Sequence, residues 1–130
     1  MKKSIAIVTV AMLFGIVQPG NAEPRHGSDV SGPVQSVSLD WTIEGVGDFN
    51  GDHEADILWR HTSGLVYIWL MKGTSTIGEG SPGSVPLDWS IQSVGDFNSD
   101  RKSDILWRHS SGLVYMWMMN GVEVIIGKEK

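Results

Sequence analysis

Two short acidic segments contain the side chains of this sequence that are best suited to binding a cation. In each, side-chain oxygens fall at the first, third, fifth and ninth positions of nine residues, 48–56 and 96–104. Alternate spacing in a tight loop turns these oxygens inward, and Ca²⁺ takes about six to eight oxygens. A backbone carbonyl at the seventh position and water can complete the set. The predicted calcium ligands are Asp48, Asn50, Asp52, Glu54 (carbonyl), Asp56, Asp96, Asn98, Asp100, Lys102 (carbonyl) and Asp104.

The two acidic segments differ in surface charge and agree in their oxygen pattern. His53-Glu54-Ala55 becomes Arg101-Lys102-Ser103, whereas every residue with a predicted side-chain ligand is the same. An EF-hand is excluded, because its twelfth position requires a bidentate Glu and Trp59 and Trp107 stand there. The alternative to a metal site is an Asx-rich turn in which the side chains satisfy the backbone of the loop.

These segments lie inside a longer internal repeat. Residues 46–73 and 94–121 align without a gap at an offset of 48, and 20 of the 28 positions are identical. The six tryptophans form three equivalent pairs: Trp41 and Trp89, Trp59 and Trp107, Trp69 and Trp117. We therefore divide the chain into a first repeat at 36–83 and a second repeat at 84–130, preceded by a flexible leader at 23–35 rich in Gly, Ser and Pro.

Each repeat has the pattern of short β-strands. In the first repeat, strands are predicted at 41–44, 57–61, 65–71 and 74–77, because apolar, β-branched and aromatic residues cluster there between turn residues. Thr62, Ser63 and Gly64 suit a hairpin with a bulged turn. The strand at 65–71 is apolar at successive positions, so both faces of its sheet must be covered.

Four short strands per repeat, covered on both faces, describe the blade of a β-propeller. The predicted fold is all-β, with two propeller blades of about four antiparallel strands each. Because propellers close with about four to eight blades, two blades are expected to be completed by oligomerisation or to be part of a larger propeller. A homo-oligomer is expected, with a trimer of six blades favoured over a tetramer.

The N-terminus and the composition point to an exported protein. Lys2 and Lys3, an apolar run at 5–17 and the small residues before a cut after Ala22 read as a signal peptide at 1–22. The run is too short for a spanning helix, so no membrane insertion is expected after cleavage. A net charge of −5 argues against nucleic acid as a partner. The absence of Cys excludes disulfides and thiolate metal sites. The expected location is secreted or periplasmic.

The motifs GDFNGDHEADILWR and GDFNSDRKSDILWR resemble the FG-GAP repeat family, also described as VCBS repeats and related to the integrin α-chain propeller. The resemblance covers about 36–126. It implies that each repeat is one propeller blade and that the acidic loop binds calcium through the ligands given above. The family often has Gly at the sixth loop position, where this chain has His53 and Arg101. A left-handed backbone at a residue other than Gly costs roughly 1–2 kcal/mol, which affects the expected affinity.

The resemblance and the composition favour a non-catalytic binding or adhesion module. His61 and His109, each near a Ser, invite comparison with a hydrolase, but catalysis also needs an orienting acid and an oxyanion site. A fragment of a secreted propeller hydrolase is the least favoured alternative. A sugar-binding lectin assembled from two-blade chains is the main alternative, with a Trp-lined pocket for a protein or glycan ligand. Trp69 and Trp117 are expected in the core, and Trp41 and Trp89 are the better candidates for exposure.

Overall fold

The structure is a computed structural model that describes residues 30–126, and this part of the chain is all-β with no helix. The first repeat forms one four-stranded antiparallel sheet in the order β1-β2-β3-β4. Its strands are β1 (Trp41–Gly47), β2 (Asp56–His61), β3 (Leu65–Lys72) and β4 (Ser75–Ser84). The predicted all-β fold is confirmed, and each of the four predicted strands begins within one residue of an observed strand. The observed β1 and β4 end three and seven residues later than predicted.

The second repeat forms a three-stranded antiparallel sheet and a separate two-stranded hairpin. The sheet contains β5 (Trp89–Gly95), β6 (Asp104–His109) and β7 (Val114–Trp117), and the hairpin contains β8 (Met119–Asn120) and β9 (Glu123–Val124). The pairing of Met119 with Val124 repeats that of Met71 with Thr76 in the first sheet. The second repeat therefore shows only the beginning of a fourth strand among the residues that the structure describes.

The β2–β3 hairpin shows how local sequence sets the register. Gly64 ends the turn at φ +100°, a conformation that a side chain disfavours, and its N–H donates to the carbonyl of His61. With the turn fixed, Trp59 lies opposite Tyr67 and Leu58 lies opposite Ile68. Because successive residues point to opposite faces, the two faces of the first sheet are both apolar, as the sequence predicts.

One face of the first sheet packs against the second repeat. The face that the second repeat contributes is not the equivalent one. Leu58, Val66 and Ile68 are fully buried there against Trp107, Ile105 and Met119. We call this group the junction cluster: Phe49, Leu58, Val66, Ile68, Ile105, Trp107 and Met119. Burying each such side chain contributes about 1.5–3 kcal/mol to stability. The junction is head to tail, because the two repeats contribute different faces to it.

The other face of the first sheet contains the outer cluster, formed by Trp41, Trp59, Tyr67, Trp69 and Met71. Val37, Ile57 and Leu65 pack against it. These five side chains are at most 7% exposed. The expectation that Trp41 is exposed is therefore wrong, since its ring packs edge-on against His61 and Tyr67 with centroids 4.7 and 5.9 Å away.

The remaining tryptophans divide differently from the sequence-based expectation. Trp69 is buried, as predicted. Trp89 and Trp117 are both half-buried, so the full burial expected of Trp117 is wrong. Trp117 lies on β7, which has no fourth-strand neighbour among the described residues, whereas Trp69 on β3 is paired with Glu79 of β4. Trp117 is thus less buried than Trp69 because β7 lacks the fourth-strand neighbour that β3 has in the described part of the chain.

A glycine on β1 allows the two sheets to approach closely. A Cβ on Gly45 would stand 2.7 Å from a methyl carbon of Val94 on β5. Real Cβ atoms do not come that close, so a larger residue at this position would require the Val94 side chain or the strands to shift.

Several expectations concern residues outside the described part of the chain. The signal peptide at 1–22 and most of the leader at 23–35 lie there, and the bounds of the two repeats stay predictions. No membrane-spanning helix is found among residues 30–126.

Candidate metal centre and inter-sheet cavity

The first acidic loop joins β1 to β2 and is organised around Asp48. The carboxylate of Asp48 accepts N–H hydrogen bonds from Gly51 at 2.8 Å, Asp52 at 3.2 Å and His53 at 2.7 Å. Asn50 contacts Asp52 through two longer hydrogen bonds of 3.3 and 3.4 Å. Backbone N–H groups therefore occupy part of the acceptor capacity of Asp48, in the manner of an Asx turn.

The second acidic loop joins β5 to β6 and repeats this arrangement. Asp96 accepts N–H bonds from Asp100 at 3.2 Å and Arg101 at 2.8 Å, and Asp100 accepts one from Lys102 at 2.9 Å. Desolvation raises the pKa of Asp96, but backbone hydrogen bonds, led by that from Arg101, outweigh it and lower this pKa below its ordinary value. The charged form of Asp96, which a cation requires, is therefore favoured.

Both loops pass through the left-handed conformation at the sixth position. The φ angles of His53 and Arg101 are 72° and 71°. The strain expected from the replacement of Gly is thus present in both copies. The left-handed turn is what directs the N–H groups of His53 and Arg101 back to the carboxylates of Asp48 and Asp96.

The ninth-position aspartates are fully buried and connect the loop to the blade. Asp56 accepts an N–H bond from Phe49 and another from Met71, both at 2.8 Å. Asp104 does the same with Phe97 and Met119, both at 2.9 Å. Desolvation raises the pKa of Asp56, although these two hydrogen bonds oppose the rise. The predicted ligands Asp56 and Asp104 therefore have a structural role in the sheet that the sequence did not indicate.

Three carboxylates converge in the second loop. One carboxylate oxygen from each of Asp96, Asp100 and Asp104 lies within 4.8 Å of the others. Each carboxylate has about four lone-pair sites, so the hydrogen bonds already made leave room for a cation. An all-oxygen, carboxylate-rich set suits Ca²⁺. Within residues 30–126, the first loop does not bring three carboxylates this close.

The other predicted ligands do not belong to this group of three carboxylates. Asn98 is exposed. Glu54 and Lys102 donate backbone N–H groups to Asp52 and Asp100, both at 2.9 Å. Their carbonyls were predicted as the seventh-position ligands, and that role stays a prediction.

A buried arginine at the junction of the two sheets was missed by the sequence analysis. Arg60 is 8% exposed and donates to the carbonyl of Gly64 in its own turn at 3.1 Å. Across the junction it donates to three carbonyls of the second repeat: Val85 at 2.7 Å, Pro86 at 3.2 Å and Trp89 at 3.2 Å. Its guanidinium also lies 5.1 Å from the centre of the Trp107 ring. Burial lowers the pKa of Arg60, and Glu44 opposes this effect.

An apolar cavity of about 250 Å³ lies beside this junction. It is lined by Val85, Trp89, Trp107, Leu113, Tyr115 and Trp117. Every one of these residues is the counterpart, 48 positions on, of a residue in or packed against the outer cluster. The same constellation is thus closed in the first repeat and open in the second, where Tyr115 is 56% exposed against 1% for Tyr67.

The histidines considered for catalysis cap the β2–β3 and β6–β7 turns. His109 Nδ1 lies 2.9 Å from Ser111 Oγ and accepts the N–H of Ser111 at 3.0 Å. His61 makes the same contacts with Ser63. In the second repeat, His109 Nε2 also lies 3.6 Å from Asp88, whose side chain is 62% exposed. An acid that could orient the histidine, as catalysis requires, is therefore present near His109, but it lies at an exposed turn.

Comparison with known proteins identifies one family. The model of the FG-GAP-like repeat matches residues 48–107, from the first acidic loop to the middle of β6. No curated protein and no solved structure gives a match. The matched segment contains the first acidic loop, the β2–β3 hairpin, β4, β5 and the second acidic loop. Residues 48–107 of this chain are thus similar to the FG-GAP-like repeat.

Proposed function

We propose that this protein is an exported, calcium-binding propeller-repeat protein that serves as a non-catalytic binding or adhesion module. FG-GAP-like repeats support a propeller-type module of this kind. The observation that carries the calcium part is the convergence of Asp96, Asp100 and Asp104 within 4.8 Å. Three carboxylates this close repel each other in the absence of a cation, so a bound Ca²⁺ stabilises the loop and the sheet that Asp104 connects to it.

Calcium binding is tested by thermal unfolding with and without a chelator. A ligand that binds only the folded state raises stability by RT ln(1 + [L]/Kd), so EDTA should lower the Tm of the parent protein. The double variant Asp48→Ala with Asp96→Ala should lose this difference. Glu54→Ala is the matched control, because it removes a carboxylate but keeps the backbone carbonyl. A parent Tm that is unaffected by EDTA would contradict the proposal.

A glycan-binding function is the second candidate, and the aromatic cavity favours it. Three Trp rings and one Tyr ring line a volume of about 250 Å³, which suits the apolar face of a single sugar ring. Tyr115→Ala should keep the parent Tm and abolish retention on a glycan array. Its counterpart Tyr67→Ala should lower the Tm instead, because Tyr67 is 1% exposed. If the protein binds no glycan on the array, with or without calcium, this candidate function is excluded.

The non-catalytic assignment is tested at the exposed Ser–His–Asp turn. Ser111 and Asp88 lie next to the two ring nitrogens of His109 at this turn. Catalysis also requires donors for an oxyanion. A fluorophosphonate probe, which labels reactive serines, should therefore not label Ser111. The parent and a Ser111→Ala variant should give the same result. Labelling of Ser111 would contradict this assignment.

Export and assembly complete the proposal. Cleavage after Ala22 would leave a chain that begins at Glu23, and mass spectrometry of the protein recovered from outside the cytoplasm checks this. Several copies are proposed to complete the propeller, with three favoured. Light scattering gives the number of copies, and a folded monomer at 100 µM would contradict the assembly.

A further inference from the structure

The second sheet repeats the junction surface of the first sheet but lacks its partner. Arg108, 48 positions after Arg60, is exposed and keeps only the bond within its own turn, from Nε to the carbonyl of Gly112 at 3.3 Å. Among the described residues, no cross-junction hydrogen bond of Arg108 is found. Val114 is 55% exposed, whereas its counterpart Val66 is fully buried. The second repeat thus carries the same residue types as the first repeat, and in the described part of the chain no neighbouring sheet covers them.

The edge of the second sheet is also open at this point. In the first sheet, Leu65 lies opposite Ser84 of β4, and Val85 then donates its N–H to the carbonyl of Gly64 at 3.0 Å. Leu113, the counterpart of Leu65, is 58% exposed. Gly112 has a φ of 102°, close to the 100° of Gly64. A Cβ on Gly64 would meet the carbonyl of Val85, while a Cβ on Gly112 would meet only the Arg108 side chain.

The chain itself contains a second copy of the segment that covers this surface in the first repeat. Residues 84–89 read Ser-Val-Pro-Leu-Asp-Trp, and residues 36–41 read Ser-Val-Ser-Leu-Asp-Trp, so five of six positions are identical. The two turns also share their geometry, since Trp89 N–H donates to Pro86 and Trp41 N–H donates to Ser38, both at 3.1 Å. The similarity begins at Ser36, because Gln35 replaces Gly83, whose φ is +148°.

We infer that the open edge and face of the second repeat bind residues 36–41 of a second copy of this chain. Ser36 of the second copy lies opposite Leu113, and its Val37 N–H donates to the carbonyl of Gly112. Arg108 donates to the carbonyls of Val37, Ser38 and Trp41, as Arg60 does to those of Val85, Pro86 and Trp89. This inference rests on the proposed assembly of several copies and specifies its interface.

The turn formed by residues 36–41, which Arg108 of another copy would contact, is accessible, whereas the ring of Trp59 is covered. Leu39 is 98% exposed, whereas Trp59, the counterpart of Trp107, is 7% exposed. Arg108 can therefore reach the carbonyls of the turn directly, and it reaches the ring of Trp59 only after the residues packed over that ring are displaced. Both the full chain and the chain from Glu23 that export would leave are tested.

Disulfide trapping tests the register directly, because the chain contains no Cys. Opposed residues of an antiparallel pair lie about 4.5–5.5 Å apart, within the range that a disulfide spans. An oxidised mixture of Ser36→Cys and Leu113→Cys proteins should give a covalent dimer that neither protein gives alone. The double variant Leu65→Cys with Ser84→Cys is the positive control, since it should form the bond within one chain. Ser36→Cys mixed with Ile77→Cys, which is exposed on β4, should give no dimer.

Sedimentation velocity measures the contribution of the arginine. Arg108→Ala should weaken self-association at least tenfold, with an unchanged Tm at concentrations at which the parent and the variant are both monomeric. Arg101→Ala, an exposed charge-matched control, should leave association as in the parent. Parent chains that associate without the Ser36–Leu113 dimer, or with equal affinity in the Arg108→Ala protein, would overturn this interface and leave the assembly itself standing. Parent chains that stay monomeric in both lengths would overturn both.

Discussion

The guanidinium of Arg60 lies 5.1 Å from the centre of the Trp107 ring, across the junction of the two sheets. This contact joins equivalent strands of successive repeats, because Arg60 is on β2 and Trp107 is on β6. The same arginine fixes the carbonyls of Val85 and Trp89, which line the cavity. One side chain therefore holds the two blades together and shapes the wall of the candidate ligand site.

Arg60→Ala should destabilise the protein far more than Arg108→Ala. Loss of Arg60 leaves four carbonyls without this donor, and hydrogen bonds to charged groups contribute about 1.5–3 kcal/mol each. Because such effects do not add, we expect a loss of about 2–4 kcal/mol for Arg60→Ala. Arg108→Ala should change stability by less than about 0.5 kcal/mol, as is usual for an exposed residue. Urea denaturation measures both, and equal losses would contradict the different roles.

Variants of the second acidic loop should separate its structural acceptor from its metal ligands. Asp104→Ala leaves the buried N–H groups of Phe97 and Met119 without an acceptor, which costs about 1–3 kcal/mol for each group. This variant should therefore have a lower Tm than the parent even in EDTA. Asp100→Ala should match the parent in EDTA and lose most of the rise in Tm on adding calcium. Calorimetry in both buffers distinguishes the two, and identical behaviour would contradict the distinction.

Glycine at the sixth loop position should stabilise the protein. His53 and Arg101 hold φ angles of 72° and 71°, at a cost of roughly 1–2 kcal/mol each. Glycine removes that cost but adds chain entropy to the unfolded state, so we expect a net gain of about 0.5–1 kcal/mol per site. Thermal unfolding of His53→Gly, Arg101→Gly and the double variant checks this. His53→Ala is the control, since alanine keeps the strain, and it should give no gain.

Equivalent tryptophans should differ in their effect on stability. Trp69→Ala removes a ring that is 1% exposed and should cost about 3–5 kcal/mol. Trp117→Ala removes its half-buried counterpart at the wall of the cavity and should cost less than half as much. Trp41→Ala should resemble Trp69→Ala. Chemical denaturation of the three variants is the measurement, and equal losses for Trp69 and Trp117 would contradict the open second repeat.

Glu79 should make stability depend on pH. Desolvation raises the pKa of Glu79 above its ordinary value of 4.5, and a hydrogen bond with Tyr67 only partly offsets this. Well below pH 4.5 the carboxyl is protonated in both the folded and the unfolded state. As the pH rises above that value, the unfolded state ionises first, so the folded protein loses stability until its own carboxyl ionises. Glu79→Gln should therefore match the parent near pH 4 and have a higher Tm at pH 7, and a difference independent of pH would contradict this account.

The sequence alone determined the repeat, the strand pattern and the loop conformation. The repeat at an offset of 48 residues, the turn at Gly64 and the continuous apolar run at 65–71 can be read from the sequence, and each predicts a feature that the structure contains. The strain at His53 and Arg101 was predicted from the resemblance to the FG-GAP repeat family, which often has Gly at that loop position. These features depend on near neighbours in the chain, so one sequence contains the information for them.

The tertiary structure decided how identical residues behave in the two repeats. Arg60 and Arg108, Tyr67 and Tyr115, and Trp69 and Trp117 are indistinguishable in their local sequence, yet the first of each pair is buried and the second is exposed or half-buried. The ninth-position aspartates were predicted as ligands, and only the fold revealed that they also accept N–H groups from β3 in the first repeat and β8 in the second. Burial depends on which surface a neighbouring sheet covers. That is a property of chain segments distant in sequence, which no local pattern encodes.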